Sequence, residues 1–106
     1  QMLKRVWRGW TSRANADAYE DLLRATIFPG IVNRKLDGFL GIELLLKPLE
    51  AEVEFMTIMT FADRDAIVRF AGPAHETAVV PLAAQNLLSR YNKQATHYEL
   101  RTTCRP

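Results

Sequence analysis

The chain has 106 residues, of which 48% are hydrophobic. That is enough for one domain around one core. Fourteen basic against 12 acidic residues give a formal net charge of +2, spread along the chain rather than gathered, so a nucleic-acid partner is not expected. No apolar run approaches the roughly 20 residues of a membrane helix, and Leu3–Trp7 is too charged for a signal peptide, so no membrane partner and a cytoplasmic location are expected. Met2 reads as the native start and Gln1 as a cloning remnant, which makes the domain residues 2–106. The single cysteine, Cys104, forms no intrachain disulfide and no metal site, and reads as a free cytosolic thiol.

In chain order, Lys4–Thr11 predicts a strand with Val6, Arg8 and Trp10 on one side and Arg5, Trp7 and Gly9 on the other. Ser12, or alternatively Asn15, caps a helix whose stripe is Tyr19, Leu22, Leu23, Thr26 and Ile27, with Glu20 and Arg24 placed for an i,i+4 pair. Pro29-Gly30 is expected to break that helix, with an irregular turn running to Asp37-Gly38. Phe39–Lys47 and Glu52–Phe61 predict an antiparallel hairpin around a four-residue loop, Pro48–Ala51. Asp63 caps a short helix that turns Ile67, Phe70 and Ala71 inward, and Gly72-Pro73 stops it. A further helix is expected from Pro81, with Ala84, Leu87, Leu88 and Tyr91 at helical spacing, and Gln94–Thr103 is the last strand.

Two strand-helix-strand units joined by a hairpin predict an α+β, ferredoxin-like β-α-β-β-α-β domain: a four-stranded antiparallel sheet, first and third strands central, helices on one face. The face away from the helices should then be polar. Instead Ile42–Leu46 and Phe55–Met59 carry large apolar side chains on both faces. Leaving about five of them in water costs about 1.5–3 kcal/mol each. A symmetric second copy packed on that face is the simplest remedy, so a homodimer is expected; a C-terminal segment folded over the face is the alternative.

For chemistry, the only histidines are His75 and His97, without a ligand spacing for metal, and no Gly-x-Ser-x-Gly or phosphate loop is present. His75 follows a turn between helices and is the candidate acid or base; the structural alternative is a turn histidine bonded to a nearby carbonyl. His97 reads as a pairing or interface residue. Arg8, a charge within a central strand, either pairs with Glu43 or Glu54 or anchors an anion. Trp10 lies on the Arg8 side, where it could wall a pocket. Tyr19 and Met59 fall at core positions and are most simply packing, as is the inward-turned Phe70.

Arg5-Val6-Trp7-Arg8-Gly9-Trp10-Thr11, the helix ending near Phe28-Pro29-Gly30, Gly38-Phe39-Leu40-Gly41, Val53–Met59 and Ala66-Ile67-Val68-Arg69-Phe70 together resemble the antibiotic biosynthesis monooxygenase-like family. The resemblance covers nearly the whole chain. It implies a dimeric α/β barrel with a pocket between sheet and helices in each subunit. Members include cofactor-free monooxygenases of aromatic polyketides or quinols, and haem-degrading enzymes. The haem-degrading members use an Asn on strand one, a Trp on strand three and a His on the following helix; here Arg8, Met59 and about Val80 hold those places, which argues against haem degradation. The expectation is therefore a cofactor-independent monooxygenase of a small electron-rich aromatic, with His75 and Arg8 catalytic and Trp10, Tyr19, Met59 and Phe70 binding substrate. No cofactor is expected. The alternatives are a dimer that binds such a ligand without converting it, and one whose pocket is filled by its own side chains.

Overall fold

The structure is a computed structural model that describes residues 1–106. It opens with β1 (Leu3–Ser12), followed by α1 (Ala16–Leu22), a π-helical turn (Leu23–Ile27) and α2 (Phe28–Asn33). The hairpin β2 (Phe39–Pro48) and β3 (Glu52–Phe61) comes next, then α3 (Arg64–Ala71), a single turn α4 (Leu82–Gln85), and the short strands β4 (Leu88–Tyr91) and β5 (Thr96–Glu99). The antiparallel sheet runs β2-β3-β1-β4, with β5 also on β1, so β1 and β3 are central, as the split β-α-β order requires.

Three local expectations change. Pro29 does not end the first helix, and the chain stays helical through Asn33. The π turn is the reason. Phe28 N–H reaches back five residues to Leu23 O, and Pro29 then sits in the first turn of α2, where a missing N–H leaves nothing unpaired. The expected helix Pro81–Tyr91 lasts one turn, and Leu88–Tyr91 is a strand instead. Leu88, Arg90 and Tyr91 lie opposite Thr11, Trp10 and Gly9, so a free sheet edge outcompetes an amphipathic spacing. The last strand is correspondingly short, Thr96–Glu99 opposite Leu3–Val6, and two strands in series take the fourth position of the sheet.

Capping follows the sequence. Asp63 accepts from Ala66 N–H at 2.9 Å, and Gly72 ends α3 at φ +85°. Asn15 occupies the cap position of α1 but donates to Leu87 O at 3.3 Å, while Ser12 Oγ accepts from Asn15 N–H in the turn before it. Glu20 and Arg24 pair at 3.0 Å.

The burial of β3 alternates along its length, with Val53, Phe55, Thr57, Met59 and Phe61 buried under the helices. Antiparallel register then places Leu3, Arg5, Trp7, Gly9 and Thr11 of β1 on that same side. Two hydrophobic clusters form there. One joins Leu3, Met59 and Phe61 to Ala66, Ile67 and Phe70 of α3. The other joins Val53 and Phe55 to Ala16, Tyr19, Leu23 and Ala84. Tyr19 meets Phe55 edge-to-face at 4.9 Å. The sheet's opposite face is bare. Leu45 and Tyr98 are exposed there, and Val6, Met56 and Ile58 are half-buried.

Candidate functional site

The seam between the two clusters is an open cleft of about 520 Å³ with the solvent in its mouth counted, of which about 60 Å³ is enclosed cavity. Its floor is Arg5, Trp7, Ile42, Thr57 and Met59 of the sheet. Tyr19, Leu23, Ile27, Phe28 and Ile31 of the first helical segment form one wall, Phe70 of α3 another. The run Ala78–Pro81 with Ala84 closes the remaining side, so 13 of the 16 lining residues are hydrophobic.

Trp7 is set by its neighbour but one. A Cβ at Gly9 would come within 2.6 Å of the Trp7 ring, so only glycine lets the indole lie flat along β1. Its Nε1–H donates to Asn92 O at 2.8 Å, which fixes the ring as floor of the cleft. Tyr19 is 1% exposed, and burial alone pushes its phenol up beyond the usual range, so it stays protonated as a donor.

Arg5 is the unusual group. It is 3% exposed, and its charge meets no carboxylate. Nη1 donates to His75 O and contacts His97 Nε2 at 2.8 Å, Nη2 donates to Thr77 O at 3.0 Å, and the guanidinium stands over Phe70 at 5.5 Å. Burial pulls its pKa down. Because arginine keeps its protons, the 2.8 Å contact makes His97 Nε2 an acceptor and puts that ring's proton on Nδ1. The His97 pKa falls to about 4, first by burial, then by its charged surroundings, Arg5 foremost, against a smaller opposing pull from Glu76.

Of the residues singled out from the sequence, Tyr19, Met59 and Phe70 come together in the cleft. His75 does not line it. It holds Arg5 through its carbonyl, its Nδ1 lies 3.3 Å from Pro73 O, and its Nε2 lies 3.3 Å from Arg64. Arg8 and Trp10 project from the bare face instead. There Arg8 is exposed and 3.6 Å from Glu54, Trp10 Nε1–H donates to the same carboxylate at 3.2 Å, and Arg90 stacks on Trp10 at 4.0 Å. Arg5, Trp7 and Thr57 are the cleft residues the sequence reading passed over, with His97 behind Arg5. What selects the face of β1 under the helices is its register with β3, Arg5 opposite Met59 and Trp7 opposite Thr57, which the sequence alone does not give.

Neither a family model nor a curated protein matches the sequence. Solved structures do share its fold. A Bacillus cereus protein placed among the antibiotic biosynthesis monooxygenases superposes with a TM-score of 0.69 at 12% identity, covering 99% of this chain and 98% of that one. A variant of SnoaB, a cofactor-independent oxygenase from Streptomyces nogalater, gives 0.64 at 21% identity over 96% and 95% of the two chains. The monooxygenase ActVA-Orf6 of Streptomyces coelicolor, in complex with nanaomycin D, gives 0.63 at 14% identity over 99% and 91%. At these identities the likeness is one of fold.

Proposed function

We propose that this chain, which carries the fold of the antibiotic biosynthesis monooxygenase-like proteins, is a cofactor-independent monooxygenase of a small electron-rich aromatic or quinol. The observation that carries the reading is the cleft between sheet and helices, whose lining is 13 of 16 hydrophobic and includes the rings of Trp7, Tyr19 and Phe70, surfaces that suit a flat apolar molecule. Two fold-mates, the cofactor-independent oxygenase SnoaB and the monooxygenase ActVA-Orf6 with nanaomycin D bound, suggest the reaction class by analogy.

The chemistry asks little of the protein. A phenol whose keto tautomer carries a ring methylene can itself reduce dioxygen. One carbon–oxygen bond forms, the oxygen–oxygen bond breaks, and CH₂ plus O₂ becomes C=O plus water with no outside reductant. The cleft holds the ring, excludes water and presents the donors Arg5, Tyr19 and Thr57 to the oxygens as they gain charge. In this assignment the polar work falls to Arg5 rather than to Arg8 or the His75 ring. The same reading takes the bare sheet face, with Val6, Leu45, Met56 and Ile58, as the seat of a second copy of the chain.

A second reading, a binder that leaves its ligand unchanged, is favoured by one feature: the polar side chains of the cleft are Arg5, Trp7, Tyr19 and Thr57, and none is a carboxylate or an imidazole that would take a proton. Oxygen uptake against a panel of naphthols, anthrones and quinols separates the two. Uptake matched one-to-one by a ring ketone, and lost on filling the cleft rim with Ala78→Trp, is the expected result. A compound that binds and is recovered intact after aerobic incubation overturns the enzyme in favour of the binder.

A further inference from the structure

The proposal that follows rests on the cleft being a ligand site and adds the charge of what it takes. Arg5 is one of the residues that line the cleft, and it is 3% exposed. The molecule's four ion pairs, Arg8–Glu54, Arg24–Glu20, Arg90–Glu52 and Arg101–Glu99, lie at exposed or half-exposed side chains, and the buried Arg5 belongs to none of them. Its three partners are the carbonyls of His75 and Thr77 and the ring nitrogen of His97, all neutral. They occupy three of its five N–H groups and cancel none of its charge. The carboxylate nearest this cluster, Glu76, is exposed and pairs with nothing in it. A buried charge without a counter-ion is costly, and its retention in a well-formed cleft marks a place where the counter-ion arrives from outside.

The other polar groups of the lining agree. Trp7 N–H is committed to Asn92 O, the buried Tyr19 phenol has no hydrogen-bond partner in the chain, and no acid lines the walls. The lining thus offers donors and one positive charge to whatever enters, on otherwise apolar surfaces that accept an aromatic body.

We infer that the cleft is a site for an aromatic anion, with Arg5 as the counter-ion of an ionised oxygen and the aromatic walls holding the ring. Two sources of that oxygen share the chemistry, a carboxylate and an acidified phenolate. A guanidinium with Nε–H and one Nη2–H left open is matched to both.

The test is titration calorimetry at pH 7.5 with four probes of one ring system: 2-naphthoate, ionised 2,4-dinitro-1-naphthol, neutral 2-naphthamide and cationic 2-naphthylmethylamine. At least one of the two anions should bind about tenfold or more tighter than the amide, the effect of one charge-assisted contact, and the cation weakest of all. Which anion prevails names the source. In Arg5→Met the preference for the anion over the amide should fall to within about twofold while amide binding persists. Arg5→Lys, which keeps the charge, should keep part of the preference, so the inference survives a poorly folding methionine variant. Amide and anions binding equally well to the wild type would overturn the anion site and leave the cleft reading standing. No probe of any charge binding would sink both.

Discussion

Replacing Gly9 with alanine tests the link between strand packing and the cleft floor. The backbone accepts alanine there, since Gly9 is not among the glycines with positive φ, so any cost comes from space. The new Cβ would stand 2.6 Å from Trp7 Cη2 and 2.9 Å from Leu88 Cδ2, closer than carbon atoms pack. The indole must tilt off the strand. Overpacking of this kind costs about 1–3 kcal/mol. Loss of the 2.8 Å bond from Trp7 to Asn92 O adds about 1 kcal/mol. Replacing glycine within a strand returns about 0.5–1 kcal/mol of unfolded-chain entropy. The net expectation is a loss of about 1–3 kcal/mol, or about 4–8 °C in Tm for each kcal/mol in a domain of this size. Urea titration followed by circular dichroism reads the stability, and tryptophan emission reads the displaced ring. In a Trp7→Ala background the same substitution should cost less than half as much, Leu88 being the remaining obstacle. A Gly9→Ala protein as stable as wild type, or a cost undiminished without Trp7, would refute the claim that Gly9 exists to seat the indole.

Other expectations follow from single groups. Thr11 is fully buried with its hydroxyl unpartnered, so Thr11→Val, which keeps the shape and removes an unsatisfied polar atom, should raise stability by about 1–2 kcal/mol, while Thr11→Ser lowers it; a destabilised valine variant counts against the orphan hydroxyl. His97 has a folded pKa of about 4 against an ordinary 6.5, so between those values the unfolded chain binds more protons, and stability should be full above pH 6.5 and decline as pH falls toward 4. In His97→Asn that slope should flatten, and an unchanged pH profile of Tm would contradict the neutral acceptor role. On the bare sheet face, Ile58→Glu should shift a dimer toward monomer in sedimentation velocity with the fold retained; a wild type that sediments as a monomer at high concentration removes the second copy from the proposal.

The strand order was legible because β2 and β3 are long, apolar and separated by a short turn, and because Asp63 and Gly72 punctuate α3. The last third was harder. Leu88 and Tyr91 fit a helical stripe as well as a strand, and what decides between them is the unpaired edge of β1 some 80 residues earlier, which no local window contains. Pro29 misled for a related reason: its effect depends on whether the preceding turn can widen, and Leu23–Ile27 does. For the site, the two faces of β1 carry similar mixtures, Val6, Arg8 and Trp10 against Arg5, Trp7 and Gly9. Alternation finds the faces without saying which one the helices cover, and so Arg8 and Trp10 drew notice that belonged to Arg5 and Trp7. Tyr19, Met59 and Phe70 were readable because a residue that points toward the core also borders any gap left in it.

That gap has a thermodynamic consequence. Two hydrophobic clusters meet the cleft from either side, so a flat ligand would serve as added interior between them. Occupancy and folding would then be a single linked equilibrium. A compound at about a hundred times its Kd adds about 2.7 kcal/mol to stability. Amide exchange in β3, which lends Met59 and Phe61 to one cluster and Val53 and Phe55 to the other, should slow along its whole length when the ligand binds, because filling the seam joins two half-cores into one cooperative unit.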